Sequence, residues 1–288
     1  MKLPTTMSIY HDEAKIDERR KIAMPNRVGI TQWTVPWKEE ELCSRAEAMG
    51  LSVLHLDLGS AEKGYPMMHP QIRSAYIEGA EQHHLQIVSL ALNDLCNHGF
   101  TAGLKDARSE IAIATMKNAV ETARKMHIPS LSVPHFFDNL IQDEDSFLAT
   151  IEALRYLCDL AQEHGVVVYT ENVLSDSNLS RLWQEVNREN LHLLFDTQNY
   201  AAMTNVNATE IFMKWQKYCG TYVHLKDGDD ALGNRPLWKG TSNFDNTFSV
   251  IIRNHFSGDL ILESSYAGQE MLQMDLKGVF QRITKMKE

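Results

Sequence analysis

Residues 166–171 read Val-Val-Val-Tyr-Thr-Glu, and residues 191–196 read Leu-His-Leu-Leu-Phe-Asp. Each run of β-branched, aromatic and Leu residues predicts a buried strand, and each run ends on a carboxylate. A helix-like stretch lies between them at residues 178–187. A strand, a helix and a second strand in this order form a βαβ unit, in which the two strands lie parallel in one sheet.

The same alternation extends over most of the chain. We expect eight strands, at residues 28–32, 53–57, 87–91, 131–134, 166–171, 191–196, 222–224 and 260–263. We expect helices between and after them, at residues 38–49, 70–83, 107–126, 144–164, 178–187, 208–218, 246–255 and 269–285. Eight such alternations in 288 residues favour an α/β fold of the (β/α)8 TIM barrel type, which takes about 250 residues.

The predicted barrel is a single domain at residues 26–288, preceded by a short, charged N-terminal extension at residues 1–25. No linker rich in Gly, Pro or Ser divides the chain. Gly50 and Gly165 follow helical stretches, and we expect them to end these helices in the left-handed conformation that Gly adopts at low cost. We expect Asp145 to cap the helix that begins near it.

Composition narrows the classes of partner. The chain has 28 Lys and Arg residues against 38 Asp and Glu residues, a net charge of -10, which argues against nucleic acid. No segment approaches the roughly 18 apolar residues of a membrane span. The four Cys residues lie far apart, which is typical of reduced thiols in a cytoplasmic protein. A small-molecule partner is expected, and the sequence leaves open whether the chain forms a homo-oligomer.

Four residues able to bind a metal lie at the ends of successive predicted strands in the second half of the chain. They are Glu171, Asp196, His224 and Glu263. In barrels of this type the chemistry gathers at the carboxyl ends of the strands. A carboxylate directly after an apolar run is costly to bury unpaired, so it needs a cation, hydrogen bonds or exposure. One such residue is often a simple helix cap, whereas four at the same rim favour a joint site.

The strings around these residues resemble the metal-binding strand ends of the xylose-isomerase-like barrels. They are Tyr-Thr-Glu171-Asn, Phe-Asp196-Thr-Gln-Asn199, Val-His224-Leu-Lys-Asp227 and Leu-Glu263-Ser. The likeness is to the sugar isomerase and epimerase branch, which includes ketose 3-epimerases. It implies that Glu171, Asp196, His224 and Glu263 ligate one divalent ion, with Mn or Mg favoured and Co or Zn as alternatives.

The resemblance also implies a reaction on a carbohydrate. Glu171 and Glu263 would act as base and acid on opposite faces of the substrate, through a cis-enediolate. Asn199 stands where the family often has His, and residues 233–237 lack the Asp-x-His of the zinc endonuclease branch. We therefore expect a sugar enzyme and exclude a trinuclear zinc nuclease.

Other residues near the predicted rim complete the expected site. We expect Trp33, His135, Asn199 and Arg235 to contact the substrate, and Asp227 to support the metal ligands from behind. Lys226 is expected to be a solvated surface charge, and His55, inside the second strand, to be structural.

Two alternatives remain at this level. One is a metal-dependent lyase on the same barrel, either a dehydratase or an enzyme that eliminates an aglycone from a 3-keto-glycoside. The other is a barrel without catalysis that serves as a binding module.

Overall fold

The computed structural model describes residues 26–285, and the predicted N-terminal extension at residues 1–25 lies outside them. Eight parallel strands form one sheet in the order β6-β5-β4-β3-β2-β1-β8-β7. They are β1 Val28–Thr31, β2 Val53–Asp57, β3 Gln86–Ala91, β4 Ser130–Pro134, β5 Val167–Glu171, β6 Leu191–Leu193, β7 Tyr222–Leu225 and β8 Asp259–Leu262. All eight predicted strands are present.

The two end strands of this order, β6 and β7, meet and close the barrel. They are joined by two isolated parallel bridges, Leu193 with Cys219 and Asp196 with His224. The backbone N–H of His224 donates to the Phe195 carbonyl at 2.9 Å, and that of Leu193 donates to the Tyr218 carbonyl at 2.8 Å. The predicted (β/α)8 TIM barrel is therefore confirmed.

Helices surround the sheet. The described residues contain α1 Glu39–Ala48, α2 Pro70–Gln82, α3 Glu110–Met126, α4 Glu144–Gln162, α5 Asp176–Val186, α6 Asn199–Met203, α7 Ala208–Trp215, α8 Phe244–Arg253 and α9 Gln269–Lys285. Short 3-10 helices lie at Gln32–Thr34, Ala61–Lys63, Pro66–Met68, Asn93–Cys96, Ala107–Ser109 and Phe137–Asn139. None of the helices in residues 26–285 has the length and apolar character needed to cross a membrane.

The local signals for helix ends were partly right. Gly50 and Gly165 have φ angles of 76° and 67°, as predicted. The expected cap at Asp145 is wrong, because Asp143 is the residue that caps α4. The Asp143 side chain accepts from the backbone N–H of Ser146 at 2.9 Å, and the Ser146 hydroxyl oxygen accepts from the backbone N–H of Asp143 at 3.0 Å. This reciprocal pair satisfies two backbone N–H donors, whereas a single cap would satisfy one.

The sequence also failed to predict α6. The apolar run at residues 191–196 suggested a strand up to Asp196, yet β6 ends at Leu193. One Asp196 oxygen, Oδ1, accepts from the backbone N–H groups of Gln198 and Asn199 at 2.8 and 2.7 Å. Asp196 therefore turns the chain into α6 as well as facing the barrel.

The interior of the barrel changes from apolar to polar along its axis. A compact apolar cluster fills it, made of Val53, Val88, Tyr169, Leu194, Tyr222 and Ile261. Above this cluster the interior becomes polar, since the Tyr222 hydroxyl donates to the Ser89 hydroxyl at 2.8 Å and the buried His55 contacts Ser132. The larger core lies between the sheet and the helices.

The loops after β7 and β8 are tied to α9 by a buried carboxylate. Asp275 Oδ1 accepts from the backbone N–H of Leu237 at 2.8 Å, and Oδ2 accepts from the Tyr266 hydroxyl at 2.9 Å. Burial raises the pKa of Asp275 to about 7, although these hydrogen bonds oppose the shift. Both loops are thereby held over the carboxyl end of the barrel.

The raised pKa of Asp275 predicts how stability depends on pH. The unfolded chain releases this proton near pH ~4, so the folded chain holds it more tightly and the carboxyl group costs stability as pH rises from about 4 to about 7. Asp275→Asn removes this cost. Relative to the wild type, its free energy of unfolding in urea is expected to gain about 1 kcal/mol or more over that range.

The matched control is Asp245→Asn, which changes an exposed carboxyl group. A difference between Asp275→Asn and the wild type that stays constant across the pH range contradicts the raised pKa.

Candidate metal centre

Four side chains converge at the carboxyl end of the barrel. Glu171 ends β5, Asp196 lies just beyond β6, His224 is in β7 and Glu263 follows β8 directly. Each offers one ligand atom, and these atoms all lie within 4.8 Å of one another. Three of the residues are buried and Glu263 is nearly so. The structure thus brings together all four predicted ligands.

The pairwise distances leave a common centre between these residues. His224 Nδ1 lies 3.1 Å from Glu263 Oε2 and 3.8 Å from Glu171 Oε1. Within residues 26–285, neither His224 Nδ1 nor Asp196 Oδ2 has a hydrogen-bond partner of acceptable geometry, although both are buried. Buried polar atoms without partners are costly. Asp196 Oδ2 and His224 Nδ1 lie close to carboxylate oxygens of Glu171 and Glu263, and a set of three carboxylates and one imidazole fits a divalent cation.

His224 is oriented by a second histidine. Its Nε2 lies 3.0 Å from His55 Nδ1, and His55 Nε2 lies 3.0 Å from the Ser132 hydroxyl. Burial, aided by His224, lowers the pKa of His55 well below its ordinary value, so His55 is neutral. A neutral His55 that donates to Ser132 accepts from His224 Nε2–H, which directs His224 Nδ1 at the carboxylates, where a cation can take the place of its proton.

His55 therefore has a role that the sequence reading missed. The prediction treated it as structural, whereas it contacts a candidate ligand directly. Its position in β2 indicates such a role, because a histidine on the inner face of a barrel strand is buried against residues of other strands.

Lys226 also lies where the sequence did not place it. The expectation of a solvated surface charge is wrong, since Lys226 is only 6% exposed. Its ammonium group lies 2.8 Å from Glu263 Oε2 and 3.4 Å from Asp196 Oδ2. His224 and Lys226 are two positions apart, and alternate residues of a strand point to the same side. That period could have placed Lys226 in the site.

The charged groups of this cluster shift one another's pKa values. Burial opposes protonation of His224, but Glu263 and Glu171 outweigh it and raise its pKa to about 10. Burial likewise opposes the charge of Lys226, yet Asp196 and Glu263 raise its pKa above the ordinary value. Burial raises the pKa of Asp196 to about 6, while Lys226 opposes the shift. The three carboxylates outnumber these two positive groups, so the cluster keeps a negative charge that attracts a cation.

Asp227 has a different role from the predicted one. It is fully buried, and its Oδ1 accepts from the Gly228 N–H at 2.9 Å and from the Ser242 hydroxyl at 2.6 Å. Its Oδ2 accepts from the Gly240 N–H at 2.9 Å. A Cβ at Gly240 would lie 2.3 Å from Asp227 Oδ1. Asp227 therefore anchors the loop after β7, and its hydrogen bonds do not reach a candidate metal ligand.

Asn199 contacts one of the glutamates. Its side-chain amide donates to Glu171 Oε1 at 2.8 Å, and among the described residues its own amide oxygen has no hydrogen-bond partner although it is buried. The residue that replaces the family's usual His thus positions Glu171 and still offers one free acceptor.

A cavity of about 460 Å³ opens beside the cluster, and Trp33, Lys226, Leu232, Glu263 and Tyr266 line it. The Trp33 ring packs edge-on against His55, with ring centroids 5.0 Å apart. Trp33 therefore forms an apolar wall next to the candidate ligands, in the position where the sequence placed it.

His135 and Arg235, both predicted substrate contacts, differ in placement. His135 is 1% exposed, packs against Phe100, and neither of its ring nitrogens has a hydrogen-bond partner within the described range. Burial lowers the pKa of His135 to about 3, so the ring is neutral. Arg235 is instead half exposed and donates to Asp229 at 2.5 Å within its own loop. The acidic loop draws Arg235 away from the cavity.

Comparison with known proteins found a relative in sequence and solved structures with the same fold. A 2-epi-5-epi-valiolone 7-phosphate 2-epimerase from Actinoplanes sp. is 30% identical over 217 residues, which cover 74% of this chain and 77% of the relative. The structure of a D-allulose 3-epimerase from Methylomonas sp. superposes with a TM-score of 0.65 at 15% identity, covering 91% of this chain and 98% of that one. The probable 3-DHS dehydratase AsbF from Bacillus anthracis gives a TM-score of 0.66 at 14% identity, covering 89% and 99%.

At such low identity the two structures share the fold with this chain and carry no information on its reaction. The family comparison is more specific, because it matches residues 43–281, which include all four candidate ligands. The chain belongs to the xylose isomerase-like TIM barrel family.

Proposed function

We propose that the protein is a divalent-metal-dependent epimerase or isomerase of a sugar or sugar derivative. The observation that carries the proposal is the convergence of Glu171, Asp196, His224 and Glu263, whose ligand atoms lie within 4.8 Å of one another. The 30% identity to an epimerase of a sugar-like phosphate supports the class of reaction. Three carboxylates and one imidazole favour Mn²⁺ or Mg²⁺, with Co²⁺ or Zn²⁺ as alternatives.

The proposed reaction begins with removal of a proton from a carbon next to a carbonyl. When bound, the cation supplies a Lewis acid that stabilises negative charge on the substrate oxygens. Glu171 and Glu263 carry the proton transfers, one as base and the other as acid. Because they come from β5 and β8, they approach from different sides of the barrel, which is what inversion at carbon requires.

The two glutamates are held differently. Asn199 donates to Glu171 Oε1 at 2.8 Å. Glu263 Oε2 is held by Lys226 at 2.8 Å. Each carboxylate is thus fixed at one oxygen, which sets its orientation before substrate binds.

The surroundings fit a polyhydroxylated ring. The apolar wall of Trp33 and Tyr266, which lines the cavity, matches the C–H face of a sugar or cyclitol. Behind this lining, the buried amide oxygen of Asn199 and ring nitrogens of His135 have no partner among the described residues, and hydroxyl groups of a substrate would satisfy them. We therefore propose that Trp33, His135 and Asn199 bind the carbohydrate.

The reaction is tested by incubating the protein and Mn²⁺ in deuterated water with ketoses, ketose phosphates, keto-cyclitols and 3-keto-glycosides. We expect deuterium at one carbon of a product whose skeleton is intact. Glu171→Gln and Glu263→Gln are each expected to lower the rate by about 10² to 10⁴-fold while the protein stays folded.

Other outcomes of this experiment separate the alternatives. Loss of water or release of an aglycone identifies a lyase, the chemistry named for the structurally similar dehydratase. Protein that binds no divalent ion and labels no substrate is a non-catalytic barrel, and the proposal is then wrong.

The contact between His55 and His224 predicts an effect on metal affinity. His55→Leu removes the acceptor for His224 Nε2–H, so His224 loses its fixed orientation, and the affinity for Mn²⁺ is expected to fall by about 10 to 100-fold. Calorimetric titration of metal-depleted protein measures this change. His164→Leu, at an exposed position on the opposite end of the barrel strands, serves as the control, and equal affinities of both variants contradict the role of His55.

The unpaired nitrogens of His135 predict a change in substrate binding without a loss of stability. His135→Leu keeps the volume but removes two buried polar atoms, so the melting temperature is expected to stay level or rise. The KM is expected to increase by roughly tenfold while kcat changes less. A lower melting temperature with an unchanged KM would show that His135 is purely structural.

A further inference from the structure

A lysine lies inside the candidate metal centre. The ammonium group of Lys226 contacts Glu263 Oε2 at 2.8 Å and lies 3.4 Å from Asp196 Oδ2. Both oxygens belong to residues of the four-membered ligand cluster, and in the described part of the chain Asp196 Oδ2 is one of the cluster's two buried atoms without a hydrogen bond. The lysine therefore competes for the same lone pairs that a divalent ion would use.

The backbone holds Lys226 in this position. The Thr197 hydroxyl donates to the Lys226 carbonyl at 2.8 Å. Its oxygen also accepts from the Lys226 backbone N–H at 2.9 Å. Thr197 follows Asp196, so the same loop fixes both the lysine and one of the acids that it faces. With its backbone clamped and its side chain 7% exposed, the ammonium group has little freedom to leave the cluster.

We infer that Lys226 is a resident counter-ion of the metal centre, which holds Asp196 and Glu263 together before a metal binds and weakens the binding of the divalent ion. The inference rests on the proposed metal-dependent function. With three carboxylates, one divalent ion and one lysine, the loaded site carries no net charge. Without the lysine it would carry a charge of about minus one and would hold the metal more tightly.

This role differs from a simple structural ion pair in the direction of its effects. Loss of a structural ion pair lowers stability and also disturbs the ligands, so metal affinity falls. Loss of a counter-ion lowers the stability of the metal-free protein only, because two buried acids lose their positive partner. Metal affinity then rises, because the repulsion between the ammonium group and the metal is removed.

The test uses the full chain, depleted of metal by a chelator and titrated with Mn²⁺ by calorimetry at about pH 8, where ordinary carboxyl groups are ionised. Lys226→Met keeps most of the side-chain volume and removes the charge. It is expected to bind Mn²⁺ at least about tenfold more tightly than the wild type, and its metal-free form to melt at a lower temperature. Lys226→Arg is expected to restore the wild-type behaviour.

Lys239→Met is the matched control, because it removes one positive charge from an exposed position in the loop after β7. It is expected to leave both measurements unchanged. If metal-free Lys226→Met does not fold, the variant is prepared with Mn²⁺ and the rate of metal release to a chelator is compared; slower release than in the wild type is the expected result.

The outcomes separate this inference from the proposed function. Wild-type protein that binds Mn²⁺, together with Lys226→Met that binds it equally or more weakly, overturns the inference alone. Wild-type protein that binds no divalent ion overturns the proposed function and the inference with it.

Discussion

The burial of three carboxylates around one point is the constraint on which this structure depends. Glu171, Asp196 and Glu263 lie too close together to remain ionised in a buried site without positive charge among them. The protein supplies part of that charge through Lys226, and it leaves Asp196 Oδ2 and His224 Nδ1 directed at a centre that a divalent ion fits. Most other polar contacts near the rim serve to keep these groups in place: His55 orients His224, Asn199 orients Glu171, and Thr197 fixes the backbone of Lys226.

The barrel makes this concentration of charge tolerable by separating it from the core. An apolar cluster fills the interior below, a polar layer with Ser89, Ser132, His55 and the Tyr222 hydroxyl lies above it, and the acids follow at the rim. The outward-facing neighbour Asp227 holds the loop after β7, and Asp275 ties that loop and the next to α9. The site is therefore set by strand ends, while the loops are anchored independently of the residues proposed to do the chemistry.

The barrel and the four candidate ligands could be predicted because each depends on a local pattern, an apolar run ending in Asp, Glu or His. The capping residue of α4 could not be chosen between Asp143 and Asp145 by spacing alone, since the reciprocal bond with Ser146 decides it. The two-residue period of a strand could have placed Lys226 and His55 on inward faces, whereas their contacts with Glu263 and His224 are defined only when the barrel is assembled. Arg235 was drawn to Asp229, a competition within the loop that a motif does not show.

The seam between β6 and β7 has a consequence for the way the fold is held closed. It is made of two isolated bridges, and one of them joins Asp196 to His224. A cation bound by both residues would link β6 to β7, the strand pair with the weakest pairing in the barrel. Metal binding and closure of the barrel would then be thermodynamically linked. Amide protons along this join would then report on metal loading through their exchange with solvent, far more than those of the continuous ladder on the opposite side.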